Sequence, residues 1–145
     1  MLRVFRDFQY EAFGCDIHPV GVPEAKTLDF LDDNFPWGIN CDVVTNPPYG
    51  KQGKTAEAFI RRALNLTERW QGRVAMLLPV DFDSAATRAG IFRDMPSFAE
   101  KLVLLERIVW FPKSNGDQVS PSQNWAWFRW DWKHRGPTII SYLGG

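Results

Sequence analysis

The chain has 145 residues, and its 17 basic and 17 acidic side chains cancel. That length suits one ordinary domain with a real core, and the neutral balance gives no overall signal for a polyanionic partner. No apolar run approaches the roughly 20 residues needed to cross a bilayer as a helix, so no membrane partner is expected.

Residues 1–10 are amphipathic without the apolar core of a signal peptide, so a soluble, cytoplasmic protein is the expectation. Leu2, Phe5 and Phe8 recur at a spacing that puts them on one helical face. Residues 11–17 read as a short strand ending in Asp16 and broken by Pro19 and Gly21. Residues 27–31 are a second short apolar stretch with Asp29 inside it, and Asp32-Asp33-Asn34 with Pro36 makes a loop. Cys41-Asp42-Val43-Val44-Thr45 is β-branched and bounded by Gly38 and Pro47, which predicts a fully buried strand. Cys15 and Cys41 each sit in an apolar run, which suggests buried, reduced thiols rather than a disulfide or metal framework.

After a loop at 50–54, Ala56, Phe59, Ile60, Ala63, Leu64 and Thr67 recur at helical spacing. Glu57, Arg61, Arg62 and Glu68 take the opposite face, and Gly72 ends the helix. Residues 73–80 predict a second buried strand. Asp83 or Ser84 can cap a helix running to about Met95, and Ser97 with Glu100 fits a capping box for one further turn. Residues 102–111 are strand-like, 112–123 a loop, 124–132 a strand of alternating aromatics, and 138–142 one more strand. The chain carries 7 tryptophans, and four of them (Trp125, Trp127, Trp130 and Trp132) crowd that aromatic segment, where core packing is the simpler reading and base stacking the alternative.

Strands alternating with helices predict an α/β fold, a three-layer sandwich around a mostly parallel sheet, with an antiparallel edge where the last strands follow each other closely. We expect a single domain over 1–145. Charge is uneven along it: residues 1–46 carry 8 acidic and 3 basic side chains, and residues 47–145 carry 9 and 14. A basic second half suits a polyanion, and it also arises from ordinary solvated faces.

In open α/β sheets ligands bind beyond the carboxyl ends of the strands, where Asp16, Asp29 and Asn46 are expected. A carboxylate such as Asp16 can accept hydrogen bonds from both hydroxyls of a ribose, or simply form a turn before His18-Pro19. Asp29, with the backbone N–H beside it, can read the edge of an adenine ring, or open a loop. Asn46-Pro47-Pro48-Tyr49 is the sharper signal, since such a tetrapeptide is expected by chance in well under ~1% of chains this long. Two prolines fix φ and leave carbonyls without competing local donors. The Asn46 side-chain oxygen and the Pro47 carbonyl can then each take one N–H of an amine, and Tyr49 offers a flat face to a base. A rigid turn with a packed tyrosine is the plainer alternative.

This tetrapeptide resembles the catalytic motif of the amino-methyltransferases. With Asp42-Val43-Val44-Thr45 before it and an amphipathic helix after it, the chain is similar to S-adenosylmethionine-dependent N6-adenine DNA methyltransferases, particularly compact phage or prophage forms, from about residue 11 to 132. The resemblance implies a Rossmann-like methyltransferase fold with S-adenosylmethionine as cofactor and DNA, presenting a flipped adenine, as partner. It implies that Asp16, with Ile17 beside it, holds the cofactor ribose, that Asp29-Phe30 reads the cofactor adenine, and that Leu77-Leu78-Pro79 is the strand after the catalytic helix. It also implies that Asn46, Pro47, Pro48 and Tyr49 form the catalytic set and that Asn46 faces the cofactor. The same tetrapeptide serves methylation of RNA bases and protein glutamine, and a non-catalytic nucleic-acid-binding module is a third reading.

One departure from the family pattern stands out. Its glycine-containing loop, which cradles the methionine part of the cofactor, lies upstream of the Asp16 position, where this chain has only Gly14. The first strand of the fold is therefore expected to be missing between those ending at Asp16 and Asn46. A longer gene product, a second copy of the chain filling the gap, or a fold that has closed up would each answer that. Sequence preference would come from residues 51–54 and 113–123.

Overall fold

The computed structural model describes residues 1–22, 25–36, 40–109 and 123–144. They fall into two compact units, Met1–Gly38 and Ile39–Gly145.

In the first unit, helix α1 (Leu2–Asp7) is shorter than the apolar spacing suggests. Gln9 turns back at φ 62, and the Gln9 and Tyr10 N–H groups close the helix on the Arg6 and Phe5 carbonyls. Leu2 and Phe5 are half-buried, whereas Phe8, beyond that reversal, is exposed. Gly14 packs against the Leu2 side chain so closely that a Cβ there would collide with it. Strands β1 (Gly14–Asp16) and β2 (Ala25–Thr27) pair in parallel, with Asp16 opposite Thr27. The second strand therefore lies upstream of the apolar stretch 27–31, and Asp29 falls in a turn after it. The physical reason is local: the Asp29 carboxylate accepts the Leu31 N–H at 2.8 Å, which bends the chain out of the extended form.

In the second unit, strands β3 (Val43–Thr45), β4 (Arg73–Pro79), β5 (Phe98–Leu104), β6 (Trp125–Asp131) and β7 (Ile139–Leu143) form one mixed sheet in the order β3-β4-β6-β5-β7. β3 is parallel to β4 and β7 to β5, while β6 runs antiparallel to both of its neighbours. Four strands thus point one way, as the α/β pattern predicts. The antiparallel strand, however, lies inside the sheet, and the C-terminal edge is parallel. Burial explains that order. Val74, Met76 and Leu78 of β4 stand opposite Trp130, Phe128 and Ala126 of β6, and all six are 0% exposed. The strand richest in aromatics gains most from neighbours on both sides.

Helix α2 (Lys54–Glu68) forms where its spacing places it, burying Ala56, Ile60, Ala63, Leu64 and Thr67. Two other expectations fail. Residues 83–95 do not make an α-helix but two 3-10 turns, Phe82–Ser84 and Ala86–Ile91, separated by Ala85 in an extended conformation. Arg88 contributes to the break by donating to the Phe82 carbonyl at 2.8 Å. Ser97 and Glu100 do not box a helix either, because Glu100 lies in β5 and binds Arg129 and Ser141 across the sheet.

β3 is not the fully buried strand its composition suggests. Among the described residues it pairs with β4 alone, and it leaves Val44 37% exposed and Cys41 exposed. At the other edge, β7 exposes Ile139, Ile140, Tyr142 and Leu143. The aromatic cluster is a packing feature. Phe92 sits 5.4 Å from Phe128 and 5.5 Å from Trp130, so Trp130 belongs to the core, while Trp127 is half-buried on the opposite face. No described helix is long and apolar enough to cross a membrane.

Candidate functional site

The tetrapeptide leaves the carboxyl end of β3, and parallel pairing with β4 brings Pro79 and the turn after it to the same end. Pro47 is fully buried and anchors the segment, whereas Asn46 and Tyr49 are half-buried and Pro48 is exposed. The Pro47 carbonyl accepts no hydrogen bond among the described residues. Asn46 Oδ1 accepts one from the Tyr49 hydroxyl at 2.6 Å, and the same hydroxyl lies 3.3 Å from the Leu77 carbonyl. Asn46 and Pro47 thus present two oxygen acceptors at one strand end, each with lone-pair capacity left for a donor.

The loop after the motif is built for close approach. Gly50 has φ 67, and a Cβ there would strike Thr55. Gly53 has φ 74, and a Cβ would strike Phe82 and the Arg88 guanidinium. Only glycine takes such positions without strain. Arg88 ties the loop to the turn after β4: its guanidinium donates to the Gln52 carbonyl at 2.6 Å and lies 3.8 Å over the Phe82 ring. Lys101 holds the same turn from β5, donating to both Asp83 oxygens at 2.8 Å.

These walls enclose an open cavity of about 410 Å³, lined by Tyr49, Gly53, Pro79, Asp81, Phe82, Ser84, Arg88 and Gln123. The Tyr49 ring packs on Trp125 with centroids 5.4 Å apart. Burial pushes the Tyr49 hydroxyl up to about 12, so it is protonated throughout the neutral range. Between pH 10, the ordinary tyrosine value, and pH 12 the unfolded chain releases this proton while the folded chain retains it. Stability therefore falls as pH rises through that window. Urea midpoints at pH 9 and pH 11.5 check this. The wild type is expected to lose more stability over that interval than Tyr49→Phe, and an equal loss would refute the assignment.

Asp16 and Asp29 come together in the first unit. Burial raises the Cys15 thiol, and the charges of Asp16 and then Asp29 raise it further. Both aspartates are exposed and each uses one oxygen as a turn former, Asp16 Oδ1 toward the His18 N–H at 2.9 Å and Asp29 Oδ1 toward the Leu31 N–H at 2.8 Å. The turn reading of these residues therefore holds. Oδ2 of each carries no hydrogen bond among the described residues. Ile17 is 55% exposed, and Phe30 is half-buried with its ring edge-on to Phe35 at 5.3 Å.

No protein-family model and no curated protein matches the chain. The motifs point to the tetrapeptide but not to Asp81 or Arg88, which reach it only through the fold. Ser84 enters the sequence as a cap candidate, Gln123 within the loop 113–123 and Trp125 within the aromatic strand. Pro79-Val80-Asp81, at the end of a buried strand, is the available clue. Of the basic loops, Lys51 and Lys54 are exposed, while all of 113–123 except Gln123 lies outside the described residues.

Proposed function

We propose that this chain is the catalytic-domain portion of an S-adenosylmethionine-dependent N6-adenine DNA methyltransferase with a Rossmann-like three-layer fold. The observation that carries the reading is the pair of oxygen acceptors at one strand end, Asn46 Oδ1 and a Pro47 carbonyl that accepts no hydrogen bond among the described residues, joined through the Asn46–Tyr49 hydrogen bond to a cavity that Tyr49 lines. An exocyclic amine offers two N–H groups, and two acceptors that engage both leave its lone pair free to act as nucleophile. As the methyl nitrogen gains positive charge, the same two oxygens stabilise it more strongly than they do the neutral amine, which is how fixed dipoles accelerate a transfer. The cavity has room for a planar base, and Tyr49 and Phe82 give it apolar walls. In this mechanism the target adenine is flipped out of its duplex to reach them.

The chemistry of the first unit fits the nucleoside part of S-adenosylmethionine. Asp16 and Asp29 each keep a carboxylate oxygen with no hydrogen bond among the described residues, near the carboxyl ends of two parallel strands, suited to ribose hydroxyls and to an adenine edge respectively. Ile17 and Phe30 would supply apolar contact. When bound, the cofactor would supply the electrophilic methyl group and leave as S-adenosylhomocysteine; this chain's residues would bind and orient the amine, whose surplus N–H proton passes to solvent after transfer.

Calorimetric titration with S-adenosylhomocysteine tests the cofactor side. Stoichiometric binding is expected, weakened at least about tenfold in Asp16→Ala, because hydrogen bonds to a charged acceptor contribute about 1.5–3 kcal/mol. Absence of heat at millimolar ligand overturns the proposal for this chain. Labelled-methyl transfer compared on duplex DNA, RNA and glutamine-containing protein tests the acceptor, and DNA is expected to be methylated fastest.

A second reading is favoured by the single pairing of β3, whose other edge is open among the described residues. In that reading the chain is a non-catalytic nucleic-acid-binding module, or works only when a second copy supplies a strand. Salt-dependent DNA affinity without cofactor binding, or transfer that rises with the square of protein concentration, would distinguish these forms.

A further inference from the structure

The methyl-transfer reading needs Asn46 to meet the substrate amine with its oxygen. A carboxamide turned by 180° about Cβ–Cγ occupies nearly the same space but presents NH₂, two donors facing two donors. Something must select the rotamer. Asn46 is half-buried, so packing alone does not. Tyr49 does have the means, because its hydroxyl oxygen lies 2.6 Å from Asn46 Oδ1. In this arrangement the carboxamide faces Tyr49 with its oxygen, which can only accept, so the hydroxyl is the donor. The hydroxyl has one proton and two acceptors in reach. The Leu77 carbonyl, at 3.3 Å, is the poorer one.

We propose that the Tyr49 hydroxyl is a positioning group that holds the Asn46 carboxamide oxygen-first toward the substrate amine, a role separate from that of the tyrosine ring. The inference rests on the methyl-transfer reading of the tetrapeptide. Spacing makes the contact possible: Pro47 and Pro48 fix two consecutive φ angles, which narrows the conformations that separate residues 46 and 49. Oδ1 has two lone pairs, and the hydroxyl takes only one. The proton needed for donation is present at neutral pH, as for any tyrosine, and burial raises the hydroxyl further to about 12, which keeps it there well into the alkaline range. The ring's own surroundings, Trp125 on one side and the cavity lining, would be satisfied equally by phenylalanine.

Four proteins test this: wild type, Tyr49→Phe, Asn46→Asp and the double variant, assayed by single-turnover transfer to adenine-containing duplex DNA. Parallel titrations follow S-adenosylhomocysteine and DNA binding. Tyr49→Phe is expected to keep both affinities within about twofold and to lower the transfer rate about tenfold, the scale of one net hydrogen bond. In the Asn46→Asp background the same change should alter the rate by less than about twofold, because a carboxylate presents an oxygen either way round. The orientation itself is read without catalysis, from ¹H–¹⁵N relaxation of the Asn46 side-chain amide. It should be ordered in wild type and mobile in Tyr49→Phe. Equal order in both proteins, or a Tyr49→Phe rate within twofold of wild type, overturns the assignment. A wild type that binds no S-adenosylhomocysteine and transfers no methyl group would instead remove the reaction, and the relaxation measurement would still decide the orientation.

Discussion

Asn46→Ala is expected to lower methyl transfer to DNA about 100- to 1000-fold while leaving the protein folded and the cofactor affinity of the Asp16–Asp29 region little changed. Loss of a fixed dipole aimed at developing charge has effects of that size. The fold should tolerate the change because Asn46 is half-buried and is not part of the fully buried core. The hydroxyl it leaves behind is not orphaned either, since Tyr49 can turn its proton to the Leu77 carbonyl, 3.3 Å away. The measurements are a transfer assay with labelled cofactor and a thermal melt on the same preparation. Transfer within tenfold of wild type would reject Asn46 as the amine acceptor. Loss of transfer with a melting point lowered by more than about 5 °C would mean the substitution had damaged the scaffold instead.

The tetrapeptide was legible because its chemistry is written locally. Asn46-Pro47-Pro48-Tyr49 fixes its own backbone through two prolines, and the strand before it and helix α2 after it follow from β-branched and 3.6-residue patterns. What was not legible depends on partners distant in sequence. Val43 and Val44 have the composition of a central strand, yet β3 has one neighbour among the described residues, and composition cannot count neighbours. Ser97 and Glu100 satisfy a capping-box spacing, but Glu100 gains more from Arg129 and Ser141 on adjoining strands than a single turn would return. Residues 83–95 have helical composition, and Arg88 instead fastens the Phe82 and Gln52 carbonyls, contacts 6 and 36 residues away. The cavity was hidden for the same reason. Phe82, Arg88 and Gln123 carry no signal apart, and the order β3-β4-β6-β5-β7 makes them neighbours of Tyr49. Asp16 and Asp29 show the reverse case, since both the turn role and the free oxygen that a ligand would need are present in one side chain.

Trp130→Ala is expected to destabilise the sheet unit by about 3–5 kcal/mol, the usual effect of truncating a fully buried tryptophan. Trp130 is 0% exposed, and its ring meets Phe92 at 5.5 Å and Phe98 at 5.4 Å. Its indole N–H donates to the Ile91 carbonyl at 2.8 Å, so the variant also leaves a buried acceptor unpaired, at a further cost of about 1–3 kcal/mol. Against a typical total of about 5–15 kcal/mol, that is enough to leave much of the protein unfolded at 37 °C. Trp130→Phe keeps an aromatic ring in the cluster and loses the N–H, so it should fall between wild type and Trp130→Ala. Trp127→Ala, on the half-buried face, should cost only about 1–2 kcal/mol. Urea midpoints for the three variants give the ranking, and a Trp127→Ala protein less stable than Trp130→Ala would contradict the assignment of the dry face. The consequence for function follows from pairing. β3 carries the tetrapeptide and is held by β4, which is held in turn by β6, the strand of Trp130. Trp130→Ala should therefore abolish transfer by releasing the strand that presents Asn46, with unfolding and inactivity appearing at the same urea concentration, whereas Asn46→Ala should lower transfer about 100- to 1000-fold in a protein that melts like wild type.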